Sequence, residues 1–129
     1  MDARTCMLIV ALSLCPMMAC HAETWTAPET ATELKNPLKA EQKIIAAGRE
    51  LYMDRCADCH GNKGRGNGPG ASDLEKSPTN FTEKKVHQQT DGELFWKITQ
   101  GHRPMPGYGK KLNEEQRWQL VHYLRTFAR

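Results

Sequence analysis

One short motif, Cys56-Ala57-Asp58-Cys59-His60, constrains this chain more than any other feature. Two cysteines separated by two residues and followed directly by a histidine form the pattern of covalent c-type haem attachment. One helical turn sets the two sulfurs at the spacing of the haem vinyl groups, and each sulfur can form a thioether bond to one of them. The imidazole then lies under the porphyrin, where its Nε2 can bind the iron. The motif therefore predicts a fold built around one covalently bound haem c.

The cysteine pair has two other interpretations, half of a zinc site or a thioredoxin-like dithiol. Zinc takes Cys or His ligands in compact clusters, but the sequence has no second Cys-x-x-Cys, and only the scattered His87, His102 and His122 could complete a site. A redox dithiol follows a hydrophobic strand in a βαβ context, whereas the residues before Cys56 have a helical pattern. Haem is favoured over both.

The N-terminal residues have the pattern of a secretory signal. An apolar run from Cys6 to Ala19 follows Arg4, and small residues follow it up to Ala22. The run is too short for a comfortable membrane span, so residues 1–22 are predicted to be a cleaved signal peptide that sends the protein to the periplasm. The alternatives are an uncleaved anchor that faces the periplasm and lipidation at Cys20.

Signal removal would leave two of the five cysteines, Cys56 and Cys59, and no pair for a structural disulfide. The core of an exported domain of about a hundred residues is marginal, and a tethered haem adds apolar bulk to it. We expect residues 23–38, with Trp25 as the only aromatic side chain, to form an extended segment that lies against the surface of the domain. Residues 39–129 then form a single haem-binding domain.

A first helix is predicted from about Lys39 to Cys56. Ile44, Gly48 and Tyr52 recur at helical spacing and fall on one face. Glycine lowers helix stability relative to alanine, so Gly48 indicates that another backbone approaches the helix at this point.

Two capping boxes predict two further helices. Thr90 to Glu93 opens one that runs to about Gln100, and Asn113 to Gln116 opens the last, which runs to about Thr126. The glycine-rich residues 61–70 predict a loop, and no segment has a strand pattern, so the fold class is all-α. The side chains predicted to face the core are Leu94, Phe95, Ile98, Trp118, Leu120, Val121, Tyr123, Leu124 and Phe127.

Methionine is the most frequent second iron ligand beside histidine in electron carriers. Outside the predicted signal the candidates are Met53, one turn before Cys56 on the same helix, and Met105. Met105 lies between two prolines, which fix φ and stiffen the loop. Met105 is therefore the predicted distal ligand, with His102 as the main rival and His87 as a weaker one.

From about Lys39 onward the chain resembles the class I c-type cytochromes, the small monohaem electron carriers. The resemblance is carried by Gly48-x-x-x-Tyr52-x-x-x-Cys56-x-x-Cys59-His60-Gly61, by Met105-Pro106 and by Leu120-x-x-Tyr123-Leu124. It implies that residues 39–129 are a cytochrome c domain with three main helices and long loops around one haem. In that family the first and last helices cross, which implies that Gly48 and Tyr52 pack against Leu120 and Tyr123.

The resemblance also implies residues around the bound haem. Gly68-Pro69 is similar to the family's Gly-Pro pair, whose proline carbonyl accepts a hydrogen bond from the proximal imidazole and so fixes the ring orientation. Tyr108 and Trp96 are candidates for contact with the haem propionates or edge, and core packing explains them equally well.

These features predict an electron carrier, not an enzyme, that shuttles single electrons between redox proteins in the periplasm. The alternatives are a haem subunit of a larger oxidase or dehydrogenase and a haem enzyme or sensor with a labile sixth ligand. The net charge of +3 gives no support for nucleic-acid binding. Basic residues in the predicted loops favour a partner with an acidic docking surface; they are Lys63, Arg65, Lys84, Lys85, Arg103, Lys110 and Lys111.

Overall fold

A computed structural model describes residues 24–128, so the predicted signal peptide, residues 1–22, lies outside the described residues. Within them the chain is helical and contains no strand, which confirms the all-α prediction. No helix in this range is both long and apolar enough to cross a bilayer. The elements are α1 (Glu29–Thr32), α2 (Gln42–Arg55), α3 (Ala57–His60), a 3-10 helix (Pro69–Asp73), α4 (Lys84–His87), α5 (Asp91–Gln100) and α6 (Glu114–Arg125).

Helices α5 and α6 begin at the two predicted capping boxes. The Glu93 backbone N–H donates to Thr90 Oγ1 (3.2 Å), and the Thr90 N–H donates to the Glu93 carboxylate (2.6 Å). At the start of α6, the Gln116 N–H donates to Asn113 Oδ1 and the Asn113 N–H donates to Gln116 Oε1, both at 2.9 Å. These reciprocal bonds satisfy backbone N–H groups that have no partner within the first turn of a helix. The capping-box sequences therefore predicted the start of both helices correctly.

Helix α2 is shorter than predicted and begins at Gln42 instead of Lys39. Its N-cap residue, Glu41, is extended and makes no capping hydrogen bond through its side chain. No sequence signal therefore marked this end. At the other end, Cys56 leaves the helical conformation (φ −120°, ψ −33°) and separates α2 from α3.

Helices α2 and α6 cross in direct backbone contact. A Cβ atom added to Gly48 would collide with the carbonyl of Gln119 on α6 and would lie 3.0 Å from the Cβ of Tyr123. The predicted close approach at Gly48 is thus confirmed, and α6 is the element that makes it. The crossing holds the end of α2, and with it the Cys56–His60 motif, against the core.

Tyr52 lies at the centre of this core and is fully buried. Its hydroxyl donates to the carbonyl of Gly61 (2.7 Å), and its ring centroid lies 5.1 Å from that of Tyr123 and 5.3 Å from that of Phe127. Tyr52 therefore ties α2 to α6 and to the residue that follows the motif. The other predicted core positions of α5 and α6 are buried, except Phe95 and Phe127, which are half-buried.

Residues 24–38, here called the N-terminal strap, were predicted to be extended, but four of them form the single turn α1. Ala31 is buried against α5, where a Cβ on Gly92 would collide with the Ala31 carbonyl. The Asn36 side-chain amide donates to the Trp118 carbonyl (3.1 Å). The strap is therefore packed onto α5 and α6. It lies against the domain, although it is not extended throughout.

Candidate haem site

The motif residues Cys56, Cys59 and His60 lie on one wall of a single cavity. The turn of α3 is closed by the His60 N–H, which donates to the Cys56 carbonyl (2.8 Å), and by the Cys59 N–H, which donates to the same oxygen (3.2 Å). The glycine loop then folds back on this turn, since the Gly68 N–H donates to the Cys59 carbonyl (3.1 Å). Local backbone bonds alone thus bring both sulfurs and the imidazole together.

The cavity opens to solvent and has a volume of about 190 Å³. Much of its wall is apolar and comes from three parts of the chain: the loop before α4, helix α5 with the loop after it, and helix α6. The apolar lining residues are Leu74, Pro78, Phe81, Ile98, Pro104, Met105, Pro106, Leu120 and Leu124, together with the aromatic Trp25, Tyr52 and Tyr108.

The charged residues that line the cavity are all cationic: Arg55, Lys76 and Arg103. Of the seven predicted basic loop residues, only Arg103 is among them. Lys84 and Lys85 lie on α4 instead of in a loop, and Lys85 pairs with Glu83 at 2.7 Å. An acidic docking surface on the redox partner stays a prediction.

His60 is held as a neutral imidazole. Its Nδ1 lies 3.0 Å from the Thr79 carbonyl, which can only accept, so the proton is on Nδ1 and Nε2 keeps a free lone pair. Burial lowers the pKa of His60 and the hydrogen bond to Thr79 opposes this only in part, which favours the neutral form. The Phe81 ring stacks on the imidazole, with centroids 4.5 Å apart. His60 is thus oriented and electronically ready to bind a metal ion through Nε2.

The prediction that Pro69 accepts the imidazole hydrogen bond is wrong, because Thr79 does so. Pro69 is exposed and begins the 3-10 helix, and its carbonyl is 3.5 Å from the Ser72 hydroxyl. The Gly68 bond to α3 turns the chain away from the imidazole at this point, and the later loop closes over it. Asn80 shapes that loop through its Oδ1, which accepts from the Thr82 N–H (3.0 Å) and hydroxyl (2.8 Å).

The environment of the cysteines disfavours the zinc and dithiol interpretations. Burial raises the pKa of Cys56 to about 12, with smaller contributions from Cys59 and Asp54. A thiol with such a pKa forms little of the thiolate that attacks in disulfide exchange. Among residues 24–128 no cluster of three or more His, Cys, Asp or Glu side chains could hold a metal ion.

His87, the weaker predicted rival of Met105, and His122, considered only for a zinc site, each make a contact away from the cavity. The ring nitrogen Nε2 of His87 lies 2.6 Å from the Phe81 carbonyl, and Nε2 of His122 lies 2.9 Å from the Leu38 carbonyl. Neither residue lines the cavity, whereas His102 does.

Met105 reaches the same cavity from the loop between α5 and α6 and is half-buried there. Two backbone hydrogen bonds close this loop: His102 N–H to the Met105 carbonyl (3.0 Å) and Met105 N–H to the His102 carbonyl (2.9 Å). Met53, the other methionine considered, is exposed and does not line the cavity. The choice of Met105 over His102 as distal ligand stays a prediction.

Of the two aromatic residues proposed to approach the cofactor, Tyr108 lines the cavity and Trp96 does not. The Tyr108 hydroxyl donates to the Arg55 carbonyl (2.8 Å), and burial, with smaller contributions from the two cysteines, raises its pKa to about 12. The tryptophan at the cavity is Trp25, in the N-terminal strap. Sequence reasoning missed this role, and the only signal was a single aromatic side chain in a largely polar segment.

The residues of this cavity fit a haem. The apolar wall suits the macrocycle, the three cationic side chains suit its carboxylates, and the two thiols suit thioether bonds. His60 Nε2 and the Met105 thioether, or a His102 nitrogen in its place, are donors that haem iron takes in cytochromes.

Comparisons with known proteins agree with this assignment. The family model described as cytochrome C oxidase, cbb3-type, subunit III matches residues 43–124, well over half of the chain. A chain of the Kuenenia stuttgartiensis reducing HAO-like protein complex is 31% identical with a TM-score of 0.66; the match covers 74% of this chain and 50% of that one. The KustC0563 c-type cytochrome is 26% identical with a TM-score of 0.55, over 64% of this chain and 98% of that one. Comparison with curated protein sequences gives no significant match.

The match covers most of this chain but only about half the length of the HAO-like complex chain. The family match covers α3 and the Met105 loop as well as the α2–α6 crossing, so it includes every part of the cavity wall except Trp25. Membership in this family implies a covalently bound c-type haem. The chain belongs to the family of cytochrome c domains described by that model and is a class I c-type cytochrome.

Proposed function

We propose that this protein is an electron carrier that binds one haem c through Cys56 and Cys59, with His60 and Met105 as the axial iron ligands. The observation that carries the proposal is the shared cavity, in which the attachment motif and the Met105 loop meet from distant parts of the chain. Haem, when bound, supplies a one-electron iron couple whose potential a methionine ligand raises.

The protein's own residues hold the two ligands in fixed positions. The Thr79 carbonyl fixes the tautomer and orientation of His60 and increases the basicity of Nε2. The prolines on either side of Met105 and the paired backbone bonds to His102 restrict the distal loop. A site with fixed ligands does not rearrange between oxidation states, which suits electron transfer better than substrate turnover.

The optical spectrum tests the ligand assignment. We expect the ferric protein to be low-spin, with the weak long-wavelength sulfur-to-iron band, and we expect Met105→Ala to abolish this band. His102→Ala is the matched control and should retain it. A high-spin ferric spectrum of the unmutated protein, or rapid carbon monoxide binding by the ferrous form, contradicts the carrier and favours a haem enzyme or sensor.

We further propose that the redox partner presents an acidic docking surface. Arg55, Lys76 and Arg103 line the cavity, and the ammonium of Lys111 lies 5.8 Å from the ring centroid of Tyr108, which also lines it. Cations around the exposed edge of a redox centre attract an acidic partner and make the association rate depend on ionic strength.

We propose that the protein is located in the periplasm. The apolar run from Cys6 to Ala19 supports this location, as does the Cys56–His60 motif if its haem is attached after export. Cell fractionation with mass determination of the mature N-terminus tests it. Cleavage near Ala22 and recovery in the periplasmic fraction support the proposal. An intact or lipidated N-terminus in the membrane fraction supports the anchored alternative.

A second candidate function is a haem subunit of a larger oxidoreductase. It is favoured by the matches to a chain of a multiprotein complex and to a family described as an oxidase subunit. Purification of the natively expressed protein after mild cross-linking separates the two. A free carrier elutes alone at its own mass, whereas a subunit elutes with stoichiometric partners.

A further inference from the structure

The N-terminal strap reaches the cavity at Trp25, whose indole stacks on the imidazole of His102. The two ring centroids are 5.2 Å apart and the rings are inclined by 20°. The ammonium of Lys97, on α5, lies 5.4 Å from the centroid of the indole. Trp25 is thus held between α5 and the loop that carries Met105, and it lines the cavity itself.

The stack on His102 bears on Met105, because paired backbone hydrogen bonds join these two residues. Each donates its backbone N–H to the carbonyl of the other, at 3.0 Å and 2.9 Å. A rigid contact on the His102 ring therefore limits the positions available to the Met105 side chain, three residues further along the same closed turn.

The strap is itself fixed away from the cavity. Ala31 rests on Gly92, Asn36 donates to the Trp118 carbonyl (3.1 Å), and the Leu38 carbonyl lies 2.9 Å from the His122 ring. These contacts anchor it to α5 and α6, the helices on either side of the Met105 loop. Through the strap, Trp25 is therefore connected to α5 and α6 as well as to the Met105 loop.

We propose that Trp25 is a positioning residue for the distal ligand: the strap, through the indole–imidazole stack, holds the His102–Met105 turn so that the thioether stays at the cavity. The inference rests on the proposed function, in which Met105 binds the iron. It assigns a role to residues 24–38, a segment that the family match, residues 43–124, does not include.

Competition by imidazole measures this restraint in the ferric holoprotein. Added imidazole displaces the methionine sulfur, and loss of the sulfur-to-iron band reports the apparent dissociation constant. Loss of an aromatic pair should lower this constant by about 2- to 13-fold in Trp25→Ala. Trp25→Phe, which keeps a ring for the stack, should recover most of the difference.

Two further variants test the route through His102 and the strap. In Trp25→Ala combined with His102→Ala, the constant should be no lower than in either single variant, because both remove the same contact. Gly92→Ala places a methyl group against the Ala31 carbonyl and lifts the strap, so it should lower the constant in the same direction. Thr30→Ala, at an exposed position on the strap, is the control and should leave the constant unchanged.

The outcomes separate this inference from the proposed function. An unmutated protein without the sulfur-to-iron band overturns both. A normal band in the unmutated protein with an unaltered imidazole constant in Trp25→Ala overturns the inference alone, as do additive effects in the double variant. If Trp25→Ala does not fold, Trp25→Leu replaces it, because leucine keeps the apolar bulk without the ring. A lowered imidazole constant in Trp25→Leu then supports the inference, and an unaltered constant overturns it.

Discussion

Replacement of Gly48 by alanine should destabilise the protein, although it improves helix propensity. The added methyl group would collide with the Gln119 carbonyl and lie 2.7 Å from its carbon, so backbone atoms on both helices obstruct it. Overpacking costs about 1–3 kcal/mol, and the upper end applies where no side chain can move aside. Alanine returns about 1 kcal/mol in a helix interior. The expected net loss in the free energy of unfolding is therefore about 2 kcal/mol.

Urea unfolding of the holoprotein, followed by far-ultraviolet circular dichroism, measures this loss. In thermal unfolding it corresponds to a decrease of about 8–16 °C in Tm for a domain of this size. Ala46→Gly, at an exposed position on the same helix, is the matched control and should cost about 1 kcal/mol from propensity alone. A Gly48→Ala protein that is more stable than the unmutated one would refute the close crossing of α2 and α6.

Two further predictions concern single hydrogen bonds, and a third concerns the cationic residues at the cavity. Tyr52→Phe should lower the free energy of unfolding by about 1–3 kcal/mol, because the Gly61 carbonyl loses its buried donor; an unchanged urea midpoint contradicts this. Asn113→Ala should remove the side-chain half of the α6 capping box and cost about 1 kcal/mol in the same assay, whereas Asn113→Ser should retain most of the stability. The reduction rate by an acidic redox protein should fall by about tenfold or more from low to high salt, and Arg103→Gln should weaken that dependence. A salt-independent rate, measured by stopped flow beside an uncharged reductant as control, argues against the cationic docking group.

The parts of the fold with local signals were predicted closely. Helices α5 and α6 begin where Thr90 and Asn113 cap them, because a capping box is a contact between residues three apart. Helix α2 has no such signal, since Glu41 caps it without a side-chain bond, and its predicted start was three residues early. Gly48 predicted a close backbone contact because glycine destabilises a helix interior unless another group occupies the space of a side chain. The Gln119 carbonyl occupies that space.

The residues that sequence reasoning missed act through contacts distant in sequence. The backbone carbonyl of Thr79, nineteen positions after His60, accepts the hydrogen bond from the imidazole. Because any residue has this carbonyl, the identity of residue 79 could not predict the hydrogen bond. The available signal was the following Asn80, whose side chain shapes the turn. Trp25 belongs to a polar segment whose packing on α5 depends on Gly92, and no periodicity connects the two.

The physical state of the cofactor tests the whole account most directly. Protein matured in a host that assembles c-type cytochromes should keep its pigment through acid-acetone extraction, and its intact mass should exceed that of the mature polypeptide by one haem. Replacement of Cys56 and Cys59 by serine should abolish that added mass. Complete extraction of the pigment, leaving the mass of the bare polypeptide, would contradict covalent attachment and with it the function proposed for this chain.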